Sequence, residues 1–247
     1  MARPPETLKT PEPSLARGDE IARDLSPAPE IASFVAAARA MAPRTDGSRS
    51  RLVFALDATM SRQPTWDMAC TLQGEMFREA AAIGGLDIRL VYYRGLSECR
   101  ASGWVSAPER LAALMSKIDC RGGNTQIGRV LNDARREAVS HGIRAVVFVG
   151  DAMEESVDAL CATAGELGLL HVPVFMFQEG RDPSTESAFR EIARLSGGAF
   201  ARFDPGAASQ LRDLLRAVAA YAAGGRAALA DMSRGSTTVT GLLSQMR

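Results

Sequence analysis

The chain has no surplus charge of either sign: across 247 residues, 29 Lys and Arg face 29 Asp and Glu. Such a balance excludes the overall basic field of a non-specific nucleic-acid binder or an electrostatic membrane binder. Lysine is nearly missing, with only Lys9 and Lys117, so the positive charge is almost all arginine. Histidine is scarce too, with only His141 and His171, which leaves few candidates for an imidazole base. The four cysteines, Cys70, Cys99, Cys120 and Cys161, form no CxxC pair, and this argues against structural zinc and against a disulfide framework. No uncharged apolar run approaches the roughly 20 residues that span a bilayer. The opening MARPPETLKTPEPSLARGDE holds no apolar core of a secretory signal. The expected location is the cytoplasm.

What the chain does have is an ordinary globular composition, 46% hydrophobic and 23% charged. Residues 1–28, rich in proline and charge, read as a flexible arm, and 29–50 as a short helix (29–42) and a linker. From Arg51 a regular alternation begins and runs to about residue 222, and 223–247 form a C-terminal tail with a weak helix at Arg226–Met232. RLVFALD (51–57) is a continuous apolar run suited to a strand covered on both faces. Further strands are expected at 87–95, 98–106, 144–150, 172–178 and 199–203. Helices are expected at 65–83, from Ser106 as a capping box with Glu109, and at 126–140, 155–168, 184–195 and 205–222. The gap between the second and third strands is too short for a crossover, so those two pair antiparallel. The fold class is therefore α/β: a doubly wound, mostly parallel six-stranded sheet with one antiparallel edge strand and helices on both faces.

Ligands in such sheets bind beyond the carboxyl ends of the strands. The first strand ends in Asp57-Ala58-Thr59-Met60-Ser61, a carboxylate followed by hydroxyls at alternate positions. Arg121-Gly122-Gly123-Asn124-Thr125 precedes the helix at 126–140 and offers a third hydroxyl, while Gly150-Asp151 closes another strand with a second carboxylate. Two carboxylates and three neutral oxygens make a hard, oxygen-only set suited to Mg²⁺, with Mn²⁺ or Ca²⁺ as alternatives. The competing explanation is local: both aspartates cap turns, and Thr59, Ser61 and Thr125 cap helices.

This order of residues resembles the metal-ion-dependent adhesion site of von Willebrand factor A (VWA) domains, with an Asp-x-Ser-x-Ser loop, a distant Thr, and an Asp after a later strand. The matching positions are Asp57, Thr59 and Ser61, then Thr125, then Asp151. The resemblance spans about residues 51–222 and includes the GGNTQIGRVL segment at 122–131. Three positions depart from the pattern: Thr59 replaces the usual Ser, Asn124 stands where a small residue is common, and Ala152 stands where Gly is frequent. None removes an oxygen ligand.

The resemblance implies a cytoplasmic, prokaryotic-type interaction module and no catalysis. Thr59 and Ser61 would hold the ion directly, Asp57 and Asp151 partly through water, and Thr125 by either route. The open position would take an Asp or Glu from a partner protein, with Met60, Arg62, Asn124 and Met153 on the surrounding rim. The helix N-terminus at Gln126 would add to the attraction for an anion. An AAA+ ATPase or chaperone-like machine is the assembly the resemblance points to; the oligomeric state is open. Two other readings stand beside it. One is a metal-dependent hydrolase or phosphatase using Asp57 and Asp151. The other is a structural assembly protein with a vestigial metal site.

Overall fold

A computed structural model describes residues 49–63, 65–68, 71, 85–204, 208–233 and 245. The elements in chain order are β1 (Ser50–Asp57), a 3₁₀ turn (Met60–Arg62), β2 (Leu86–Arg94), β3 (Glu98–Val105), α1 (Pro108–Met115) and α2 (Ile127–His141). There follow β4 (Ala145–Gly150), α3 (Val157–Leu169), β5 (Val174–Glu179), α4 (Pro183–Ser196), β6 (Ala199–Phe203) and α5 (Ala208–Ser233). Residues 65–68 and 71 are helical; the rest of the helix expected at 65–83 lies outside the described residues. So do the arm at 1–28, the helix and linker up to residue 48, and the tail from 234 apart from Gln245.

The sheet order is β3-β2-β1-β4-β5-β6, with β2 and β3 antiparallel and every other pair parallel. This is the expected fold class, with strand bounds shifted by one or two residues. Because side chains alternate across a strand, β1 divides its apolar residues between two cores. Leu52, Phe54 and Leu56 pack with Trp66, Met115, Leu215 and Val218 on one face, while Val53 and Ala55 pack with Ile127, Leu160 and Phe189 on the other. Each such side chain contributes about 1.5–3 kcal/mol on full burial, which fixes the register of β1 and so the position of Asp57 at its tip.

The start of α1 differs from expectation. Ser106 does not cap α1; Ala107 holds that position, and the Ser106 hydroxyl donates to Asp87 Oδ1 at 2.7 Å. Proline at the first helical position presets the backbone, so α1 forms without a side-chain cap. The helices expected at 205–222 and 226–232 are both present as the two parts of α5, which breaks between them at Gly225, where φ is 64°. Alanine-rich sequence on both sides favours helix, and the glycine takes up the bend.

Candidate metal centre

The chain leaves β1 on one side toward β2 and later returns on the other side through β4, so a crevice opens where the strand order reverses, between β1 and β4. Asp57 and Asp151 stand at its two lips. Leu56 pairs with Val149, one residue before Asp57 and two before Asp151. A side chain at Gly150 would overlap the Phe148 ring of the same strand at 2.7 Å, so glycine leaves room for that ring beside Asp57.

Asp57 is fully buried, and both of its oxygens are held: Oδ1 accepts from the Thr59 N–H at 2.7 Å and Oδ2 from the Tyr93 hydroxyl at 2.9 Å. Burial pushes its carboxyl above the usual carboxylate range and the charge of Asp151 adds to that, while the bonds from Thr59 and Tyr93 oppose it. Burial and the neighbouring Asp57 charge hold the Tyr93 phenol well above its ordinary value, so it stays a neutral donor. Thr59 Oγ1 and Ser61 Oγ lie 3.2 Å apart. Thr59 stands at the N-cap of the 3₁₀ turn, yet its side chain caps nothing, which removes the local explanation at that residue.

Thr125 does not cap α2 either. Its hydroxyl accepts from the Glu154 N–H at 3.0 Å, and its own N–H donates to Glu154 Oε2 at 3.1 Å. This two-way link ties the Thr125 loop to the Asp151 loop. Gly123 makes a further close approach possible, since a Cβ there would stand 2.0 Å from the Gly95 carbonyl oxygen. Asp151 Oδ1 is buried and meets no hydrogen-bond partner among the described residues.

Two expectations need correction. Arg62 is not on the rim but fully buried, ion-paired with Glu179, whose Oε2 also accepts from the Thr65 hydroxyl at 2.6 Å. The tight turn sends Met60 outward, 58% exposed, and Arg62 inward. Nor is the N-terminus of α2 open to an incoming anion. The Glu155 carboxylate already accepts from the N–H groups of Ile127 and Gly128. Of the other rim residues, Asn124 is exposed and Met153 is half-buried against the second core.

Tyr93, Glu154 and Glu155 were not singled out from sequence as site residues. The signal for Tyr93 was its place at the end of β2, where the parallel register sets it beside Asp57. Both histidines belong to the opposite pole. His141 ends α2 ahead of β4 and pairs with Glu137 at 2.7 Å, and His171 precedes the start of β5. Among the described residues no three His, Cys, Asp or Glu side chains converge on a metal position, so any ion here depends on the hydroxyls.

Comparison with protein-family models and with curated proteins returns no match. Solved structures do match in fold. An aerotolerance-related membrane protein from Bacteroides fragilis shares 17% identity over 67% of this chain and 96% of its own, with a TM-score of 0.53. The VWA domain of SpRpn10 shares 13% identity over 72% of this chain and 98% of its own, with a TM-score of 0.52. Proximal thread matrix protein 1 from the mussel byssus, solved with a zinc-occupied MIDAS motif, shares 14% identity over 70% of this chain, with a TM-score of 0.57. This chain spans 46% of that protein's length. The fold is that of a VWA domain.

Proposed function

We propose that this VWA-fold chain is a metal-dependent protein-binding module, with a divalent cation held by Asp57, Thr59, Ser61, Thr125 and Asp151. The observation that carries the reading is Asp151 Oδ1, a buried carboxylate oxygen without a partner, beside a second buried carboxylate. An unpaired buried charge is costly, and a cation is the group that would relieve it. Formal charge points the same way: Asp57, Asp151 and Glu179 against Arg62 leave two negative charges, which attract a cation. The donors are all oxygen, which favours Mg²⁺, with Mn²⁺ or Ca²⁺ next, over the zinc of the mussel protein.

The ion, when bound, supplies a Lewis-acidic position toward an Asp or Glu of a partner. Around it, Tyr93 and the Thr59 N–H hold Asp57 in one orientation. The Thr125–Glu154 link holds the third hydroxyl at the crevice. Met60, Asn124 and Met153 border the opening and are the proposed rim. Fold likeness supports a role in binding proteins, since similar structures include a thread matrix protein and the pilus adhesin SpaC. An AAA+ ATPase or chaperone-like machine as the wider assembly, and a cytoplasmic setting, belong to this proposal and rest on resemblance. No helix among the described residues is long and apolar enough to cross a membrane. A hydrolytic reading has no observation in its favour, since both imidazoles sit at the far pole.

The test is capture of partner proteins by immobilised full chain, with Mg²⁺ and with EDTA, for wild type and Asp57→Ala. Partners held by wild type with Mg²⁺, and lost both in EDTA and in the variant, support the reading. Capture indifferent to the chelator contradicts it.

A further inference from the structure

The expectation at position 62 failed in an informative way. An arginine directly after Ser61 read as a rim residue, yet its side chain has no exposure. Burying a guanidinium costs several kcal/mol unless compensating charges surround it. Glu179 is one such charge. It sits at the end of β5, paired in the sheet with Phe203, whose ring lies 5.9 Å below the guanidinium. Nε and Nη2 of Arg62 meet no hydrogen-bond acceptor among the described residues. Burial lowers the pKa of Arg62, and the charges that oppose this are led by Asp151 and then Asp57. The side chain thus runs from the metal loop to the ends of β5 and β6, with two carboxylates of the candidate centre inside its field.

We propose that Arg62 is a resident cation of this centre: it offsets part of the Asp57 and Asp151 charge when no metal is present, and it opposes the incoming ion electrostatically. Glu179 draws off part of that positive charge and so sets how strongly Arg62 competes. The inference rests on the metal site proposed above and adds a determinant of affinity that the five oxygen ligands do not contain. Arg62 lowers the cost of the metal-free centre, and with it the ion is held less tightly than the ligands alone would hold it.

The charge count yields a series with opposed signs. Arg62→Met leaves three negative charges around the centre, wild type and the Arg62→Met/Glu179→Gln double variant leave two, and Glu179→Gln leaves one. Mn²⁺ affinity, measured by calorimetry on the full chain, is expected to rise about tenfold or more in Arg62→Met and to fall by a similar factor in Glu179→Gln. It is expected to return to within a few-fold of wild type in the double variant. Melting in EDTA is expected to show the largest gap between metal-free and metal-bound forms in Arg62→Met. A merely structural role would weaken metal binding in all three variants, and that result overturns the inference while leaving the metal site standing. If Arg62→Met does not fold, Glu179→Gln and the double variant decide the same question, since only an electrostatic role lets the second substitution restore affinity. Absence of Mn²⁺ binding in wild type and all variants overturns the metal site itself and this inference with it.

Discussion

The Tyr93 hydroxyl donates to Asp57 Oδ2 across 2.9 Å, joining the tips of two parallel strands through a fully buried bond. It fixes the carboxylate whose other oxygen is held by the Thr59 N–H. Groups that orient ligands from behind are typically worth about 10–100-fold in metal affinity. Tyr93→Phe is expected to keep the fold, with a loss of about 1 kcal/mol, and to weaken Mn²⁺ binding by a factor in that range. Calorimetry and chemical denaturation measure the two effects separately.

The Gly123 backbone lies against Gly95, and a methyl group there would overlap the Gly95 carbonyl. Gly123→Ala is expected to cost about 1–3 kcal/mol through displacement of the loop that carries Thr125. Gly122 borders open space, so Gly122→Ala is expected to be nearly silent in thermal melting.

Glu155 closes the N-terminus of α2 through the Ile127 and Gly128 N–H groups. Glu155→Ala is expected to lower stability by about 1 kcal/mol, and Glu155→Gln to lower it as well, because the amide keeps one acceptor oxygen and turns its NH2 toward the other N–H. Urea midpoints of the two variants give the comparison.

Asp182 caps α4, and the bonds it accepts from Ser184 and Thr185 hold its carboxyl below the ordinary value of 3.8. A depressed carboxyl stabilises the fold above about pH 4, and the contribution is lost as pH falls through the folded value. Asp182→Ala is expected to cost about 1 kcal/mol at pH 7, with the gap to wild type closing as the solution becomes strongly acid. Metal affinity is expected to be unchanged.

Strand order and the antiparallel edge were legible because apolar runs and connection lengths constrain them strongly. The run at 51–57 could only be a buried strand, and the short gap before Glu98 could only be a hairpin. The candidate site was legible as a pattern of oxygen donors at strand ends. Side-chain direction was not. Whether Arg62 faces solvent or the core depends on one 3₁₀ turn and on a carboxylate 117 positions later, at Glu179. Glu154 and Glu155 gave no signal in sequence, because the N–H groups they accept from belong to another element. The break in α5 was legible because a glycine pair interrupts a sequence that otherwise favours helix on both sides.

Mn²⁺ titration by calorimetry, on wild type and on Asp57→Ala, Thr125→Ala and Asp151→Ala, tests the central claim most directly. The account predicts one ion per wild-type chain, no measurable binding in Asp57→Ala or Asp151→Ala, and affinity reduced about tenfold or more in Thr125→Ala, with all three variants folded by circular dichroism. A wild-type chain that gives no metal-dependent heat, or variants that bind as wild type does, would contradict it.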